Sequence, residues 1–293
     1  MGLKPIITLL RPDQWVKNLV VFAALIFARE FTVFHYVTTT IFAFGIFCVL
    51  SSVIYIVNDI SDRESDRAHP VKCKRPIASG QVSVLTGAIL AVVLGVVGVG
   101  LSLLLPLKFF IVAIAFLVFN FLYSWILKKI VIIDVMSIAV SFVLRATAGA
   151  AAIAVPMSSW LVACTFLLAL FIGFGKRRHE VVMLKADAAS HRATLSKYST
   201  YFLDQLIGVV TASTVIAYTF YTLSPEVQTK LGVERLELTI PFVLYGIFRY
   251  LYLIHQEERG GSPSRLLLSD VPLLINIALW FLSVLAIFSF FGH

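Results

Sequence analysis

Residues 58–80 read NDISDRESDRAHPVKCKRPIASG, directly behind an apolar run at 36–57. On a helix, Asn58, Asp62 and Asp66 fall at i, i+4 and i+8, so the three side chains share one face. Oxygen groups stacked that way repel one another unless a cation sits among them. A hard divalent ion such as Mg²⁺ takes oxygen ligands and usually shares them with substrate phosphates. Arg67, His69, Lys72, Lys74 and Arg75 follow at once, and such bases suit the remaining phosphate oxygens. A solvated polar loop is the plainer reading of a charge run, but it requires neither this acid spacing nor this set of bases.

Outward from that stretch the chain is apolar. Of its 293 residues 59% are hydrophobic and 14% charged, and the mean hydropathy is +0.94. So few charges could not cover a soluble domain of this size, and an integral membrane protein is expected. Cys48, Cys73 and Cys164 show no CxxC pairing, which supports neither a disulfide framework nor a zinc site. No small-residue cleavage site follows the first apolar stretch, so no removable signal peptide is expected. Spanning segments can be drawn at 17–34, 36–57, 82–105, 108–126, 131–154, 157–175, 202–223, 238–255 and 272–291. The first, between Lys17 and Arg29, has the shortest apolar core.

These spans predict an all-α protein with nine transmembrane helices in one domain over 1–293, opened by an interfacial helix at 1–16. The bases of 58–81, 128–129, 176–200 and 249–265 gather on one face with Lys4, Arg11 and Lys17, against Arg29, Lys108, Lys230 and Arg235 on the other. By the positive-inside bias the first face is cytoplasmic, with the N-terminus inside and the C-terminus outside an inner cell membrane. The net charge of +8 is thus concentrated at one mouth and is no nucleic-acid footprint. The long polar loops 58–81 and 176–200 are expected to carry the chemistry there.

Polar residues inside spans are costly and mark function. Asp134 and Arg145 are eleven positions apart, three helical turns, so both face the same way about 16 Å apart in depth. Arg145 suits an anion, or a structural pairing with another helix. GFGKRRHE at 173–180 ends a span with Lys176, Arg177, Arg178 and Glu180. It reads as a phosphate clamp, since arginine offers a planar fork, or as a stop-transfer anchor. Tyr123 and Lys128 end another span. Tyr198, Tyr201, Asp204, Arg249, Tyr250 and Asp270 are weaker candidates, equally suited to interface anchoring. The glycines of GAILAVVLGVVGVG predict close helix packing.

The run at 58–80 resembles the first aspartate-rich signature of the UbiA superfamily of intramembrane prenyltransferases. That resemblance implies helices around a central cavity open to the cytoplasmic side, and a diphosphate held through Mg²⁺ on two acidic motifs. Carried over, Asn58, Asp59, Asp62 and Asp66 match the metal motif, and Tyr123 with Lys128 approximates a Tyr–Lys element. A second acidic motif is missing, and GKRRHE stands in its place. With RPDQWVKN, VIIDVMSIAVSFVLRATAGA and FRYLYL, the chain is similar to the decaprenyl-phosphate phosphoribosyltransferase branch.

That branch implies 5-phosphoribosyl 1-diphosphate as donor and a polyprenyl phosphate as acceptor, in the supply of cell-envelope polysaccharide precursors. Asn58, Asp62 and Asp66 would hold Mg²⁺ with help from Asp59, and Arg67, Lys72 and Arg75 would neutralise the diphosphate. Lys176, Arg177 and Arg178 would take the 5-phosphate or lipid phosphate, with Glu180 placing Lys176 or ribose hydroxyls. Lys17, Asn18 and Lys128 are candidates for the acceptor phosphate, Arg145 for an anion, and Asp134 for ribose or Mg²⁺. The catalytic set is then Asp62, Asp66, Asp134, Lys176 and Glu180. A homo-oligomer is allowed for. The competing readings are a prenyltransferase joining an isoprenoid diphosphate to an aromatic acceptor, and a transporter gated by Asp134 and Arg145.

Overall fold

The computed structural model describes residues 3–184, 194–257, 260–261 and 263–290; Lys185, Arg192, Arg259 and the Arg265 side chain lie outside that description. Its helices are α1 (Leu3–Leu10), α2 (Ala23–Phe27), α3 (Phe34–Ser61), α4 (Arg63–Ala68), α5 (Val84–Ser102), α6 (Leu107–Trp125) and α7 (Ile133–Ala152). They continue as α8 (Ser159–Leu184), α9 (Thr200–Leu223), α10 (Pro225–Leu231), α11 (Ile240–His255), α12 (Pro263–Ser269) and α13 (Val271–Phe290). Eight described helices are long and apolar enough to cross a membrane, matching the expected spans from 36–57 onward. Serines set two of their starts: Ser83 accepts from the Thr86 amide at 3.0 Å, and Ser199 from the Phe202 amide at 3.1 Å. Each satisfies one of the amides that a helix N-terminus leaves unpaired.

The expected helix at 17–34 is absent as such. The chain enters it from Arg11 in a left-handed conformation, runs as a 3₁₀-helix over Pro12–Phe22, and adds only the short α2. Its apolar core is too short for an α-helical crossing, but 3₁₀ geometry rises about 2.0 Å per residue rather than about 1.5 Å. Pro12 to Phe27 then extends roughly 30 Å, about the thickness of a hydrocarbon core. The segment runs antiparallel along α3. Arg11 pairs with Asp59, Trp15 donates to Ser52 at 3.1 Å, Ser51 donates to Asn18 at 3.1 Å, and Phe22 meets Phe44.

The chain divides into two compact units, 1–157 with 186–197, and 158–185 with 198–293. In the first, Phe47, Phe109 and Phe116 centre an apolar core closed by Val21, Leu50, Ala148 and Ala152. Small residues allow the closest approaches. A Cβ on Gly149 of α7 would lie 1.9 Å from the Val21 carbonyl oxygen, so the 3₁₀ backbone presses directly on α7. A Cβ on Gly98 would meet Leu50 at 2.6 Å, the packing expected of the glycine-rich span, although Gly95 and Gly100 have nothing within 4 Å. Beyond α4, the chain folds back and buries Ile77, Ala78 and Val82 with Leu9, Val53 and Ile56. Arg67 fastens this return by donating to the Ala78 carbonyl at 3.1 Å. The stretch 58–81 is therefore a packed helix and return, not an open loop.

In the second unit, α8 packs on α9 and α11 on α13. The Tyr218 hydroxyl joins Thr239 at 2.7 Å and accepts from Trp280 at 2.9 Å. Here a further expectation changes: α8 does not end at 175 but runs to Leu184, so Lys176–Glu180 is helical. KRRHEVVML contains no glycine or proline, so nothing stops the helix at the membrane edge.

Candidate active site

The hydrogen-bond ladder of α3 carries across Asp62 into α4. The Asp62 amide donates to Asn58 at 2.8 Å, and the Asp66 amide to Asp62 at 2.8 Å. Asn58, Asp62 and Asp66 thus stand on one stripe about 6 Å apart in rise, with Asp59 beside it. Each carboxylate meets a cation. Arg75 Nη1 lies 3.2 Å from Asp59 Oδ1 and 2.5 Å from Asp66 Oδ2, and Arg11 pairs with the same Asp59 oxygen. Lys128, in the short 3₁₀ turn after α6, donates to Asp62 at 2.5 Å. Burial pulls the Arg11 pKa down, partly offset by Asp59. Asp59 and Asp66 are buried while Asp62 is partly open.

Two features leave room for a metal. Asp59 Oδ2 is buried and accepts from nothing, and the Asn58 side chain makes no hydrogen bond among the described residues. Buried polar atoms are rarely left so without cause. The donor set is all oxygen, as Mg²⁺ prefers, and fits it once Arg75 and Lys128 release their carboxylates. Among the described residues no three His, Cys, Asp or Glu groups enclose an ion by themselves. An ion held here would share its shell with substrate oxygens, as Mg²⁺ commonly does.

The fold-back places the key base. Ile77 sits in the space left by Gly87, where a Cβ would stand 3.1 Å from its Cδ1, and this anchors Arg75 two residues earlier. Lys72 lies half-buried in the turn before it, and Arg67 is exposed.

Deeper along α3 lies a second polar cluster. Arg145 of α7 is buried, with Nε donating to Asn18 Oδ1 at 2.8 Å and Nη1 to Ser141 O and Oγ, each at 2.9 Å. Its guanidinium covers the rings of Phe116 and Phe142. Asn18 is fully buried and also contacts Ser51 and Cys48. Lys17 and Arg11 both lie over the Tyr55 ring, at 5.9 and 5.2 Å from its centroid. Tyr123 is half-buried and close enough to Lys17 to interact with it. Asp134 is fully buried in the first turn of α7, where a carboxylate meets the positive end of the helix dipole.

The second unit holds its own cluster. Lys176 lies 3.8 Å from Glu180, and the buried Arg177 pairs with the same carboxylate. Arg178 turns to α9, donating to Asp204 at 2.6 Å and to the Ile254 carbonyl at 3.3 Å. His255 lies 3.2 Å from Asp204 as well. Arg249 makes a two-point contact with Asp270, which also caps α13 through the Leu273 amide at 3.0 Å.

Several participants escape sequence reasoning. Arg11 was placed only among the inner-face bases; its neighbour Pro12 signals a turn but names no partner. The Tyr55 ring and Ser51 carry no motif. Ser141, four residues before Arg145, had a usable signal in its i, i+4 spacing.

The model of the UbiA prenyltransferase family matches residues 18–269. The decaprenyl-phosphate phosphoribosyltransferase of Corynebacterium glutamicum is 32% identical over 287 residues, covering 95% of this chain and 85% of its own. That of Mycolicibacterium smegmatis is 30% identical, covering 94% and 89%. A digeranylgeranylglyceryl phosphate synthase of Sulfurisphaera tokodaii is 29% identical over 178 residues, 58% of this chain and 62% of its own. Among solved structures, a UbiA homolog from Archaeoglobus fulgidus bound to GPP and Mg²⁺ superposes with a TM-score of 0.72 at 19% identity. It covers 97% of this chain and 99% of that one, a likeness of fold.

Proposed function

The chain belongs to the UbiA prenyltransferase family, and from that premise we propose that it transfers 5-phosphoribosyl from 5-phosphoribosyl 1-diphosphate to a polyprenyl phosphate. The observation that carries this reading is the near full-length likeness to relatives named for that reaction. The single acidic stripe supports it, because the donor carries one diphosphate and the other two anions are monophosphates. A lipid phosphate oxygen bonds to the anomeric carbon as its bond to the diphosphate breaks, and diphosphate leaves. A phosphate monoester is already nucleophilic, so the protein's contribution is positioning and charge stabilisation.

Asn58, Asp59, Asp62 and Asp66 would hold Mg²⁺ on the donor diphosphate. The chemistry supplied by the bound ion is neutralisation of the departing charge. Arg75 and Lys128, which pair with those carboxylates, would add to that neutralisation together with Lys72 and Arg67. Asp134 meets ribose, and Tyr123 helps position the donor. Lys176 and Arg177, oriented by Glu180, bind a substrate phosphate; Arg178 chiefly holds α9. The base-rich helix ends face the cytoplasm, by the positive-inside bias. The Arg11–Asp59 pair keeps the N-terminus at that same face, so the 3₁₀ segment is a ninth crossing and the C-terminus lies outside.

The test is purified protein with Mg²⁺, decaprenyl phosphate and labelled phosphoribosyl diphosphate. Labelled lipid and released diphosphate are expected, both abolished by EDTA. Consumption of a prenyl diphosphate with an aromatic acceptor, and none of the phosphoribosyl donor, would instead establish the ordinary prenyltransferase reaction.

A further inference from the structure

Neither Arg145 nor Lys17 forms an ion pair among the described residues. Among the described residues no carboxylate lies within ion-pair distance of Arg145, whose partners are an amide, a hydroxyl and a carbonyl. Lys17 makes no hydrogen bond or ion pair among them and lies over the Tyr55 ring, 5.9 Å from its centroid. The two repel each other, and Arg11 and Asp13 are the other charges that reach Lys17. Uncompensated charge in a membrane interior is expensive, so a missing anion is the natural complement.

The arrangement is also directional. Asn18 and Ser141 fasten the Nε and Nη1 edge of the guanidinium, while Nη2 has no acceptor among the described residues yet is not sealed from access. Asn18 is held in turn by Ser51, and it acts through Arg145 as a positioning residue. The guanidinium end of this cluster lies deeper than the carboxylate stripe, since Cys48, which contacts Asn18, precedes Asp59 by eleven helical residues, about 16 Å of rise, while Lys17 reaches over Tyr55 toward the stripe.

We propose that Arg145 Nη2 and the Lys17 ammonium form a phosphomonoester site that fills without metal. Two donors of positive charge match the dianion of a monoester better than the single charge of a diester. The chemistry is shared by the lipid acceptor's phosphate and the donor's 5-phosphate. The inference rests on the proposed reaction for its substrates, but its own basis is the pair of uncompensated cations.

The test measures binding of ribose 5-phosphate and of dodecyl phosphate to the full chain in nanodiscs containing EDTA, with didodecyl phosphate as the diester control. At least one monoester should bind at least tenfold more tightly than the diester. Lys17→Gln and Arg145→Gln should each weaken it by about tenfold or more, the scale of a charge-assisted contact, whereas Asp66→Asn should not. Preference for dodecyl phosphate would assign the site to the acceptor, and preference for ribose 5-phosphate to the donor. Lys17 makes no hydrogen bond or ion pair among the described residues, so Lys17→Gln remains informative if Arg145→Gln misfolds. Failure of both monoesters to bind, or binding indifferent to Lys17→Gln, overturns the site. If labelled lipid never forms while binding still requires Lys17, the proposed reaction fails and the anion site stands.

Discussion

Gly149 offers a bare Cα to the Val21 carbonyl, close enough that any Cβ would stand 1.9 Å from the oxygen. This contact sets the depth at which Asn18 meets Arg145. Gly149→Ala should therefore push the 3₁₀ segment off α7, at a cost of about 1–3 kcal/mol. Thermal unfolding should show a lowered midpoint together with reduced turnover. Gly95→Ala, where nothing lies within 4 Å, should leave both nearly unchanged. Equal behaviour of the two variants would remove Gly149 from its role.

Arg75 bridges Asp59 and Asp66, and competes there with any metal. Arg75→Gln should tighten binding of Mn²⁺, used as a spectroscopic probe for Mg²⁺, by about tenfold in the absence of substrate. The same variant should turn over more slowly, because the diphosphate loses a counter-charge. Unchanged or weaker Mn²⁺ binding would show that Arg75 does not occupy the metal's place.

Asp66→Ala should fold and insert normally yet lower turnover by at least about a hundredfold at saturating Mg²⁺, the scale of one preorganised electrostatic group. A rate near that of the unaltered protein would refute a metal role for Asp66.

The basic run on α8 separates into two kinds of residue. Arg178 is committed to Asp204 and the Ile254 carbonyl, so Arg178→Gln should cost about 1–2 kcal/mol of stability, discounted for the partial exposure of Asp204, and lower the thermal midpoint. Lys176 is more open, and Lys176→Gln should raise a substrate KM several-fold with little change in stability. Reversed outcomes would exchange their roles.

The sequence displayed the eight regular spans well because each is a long apolar block ended by charges or serines. The segment 17–34 stood out less, with its short apolar core between Lys17 and Arg29, and nothing in it marked the 3₁₀ geometry of Pro12–Phe22. Stripe geometry at Asn58, Asp62 and Asp66 was readable from spacing alone. Their counter-cations were not: Lys128 reaches Asp62 across 66 positions and Arg11 reaches Asp59 across 48, separations no local pattern encodes. The basic run at 176–180 was legible as a cluster of cations beside Glu180, while its place on a helix depended on recognising that nothing there breaks one.

A helix with three residues per turn repeats its face every third position, so Trp15, Asn18 and Val21 form one straight file toward their neighbours, with Leu19 turned away. Removing a single residue after Pro12 would rotate that file by a third of a turn. An oily side chain would then be carried toward the partners that now receive the amide, and the chain's numerical phase in this short stretch becomes as consequential as its composition.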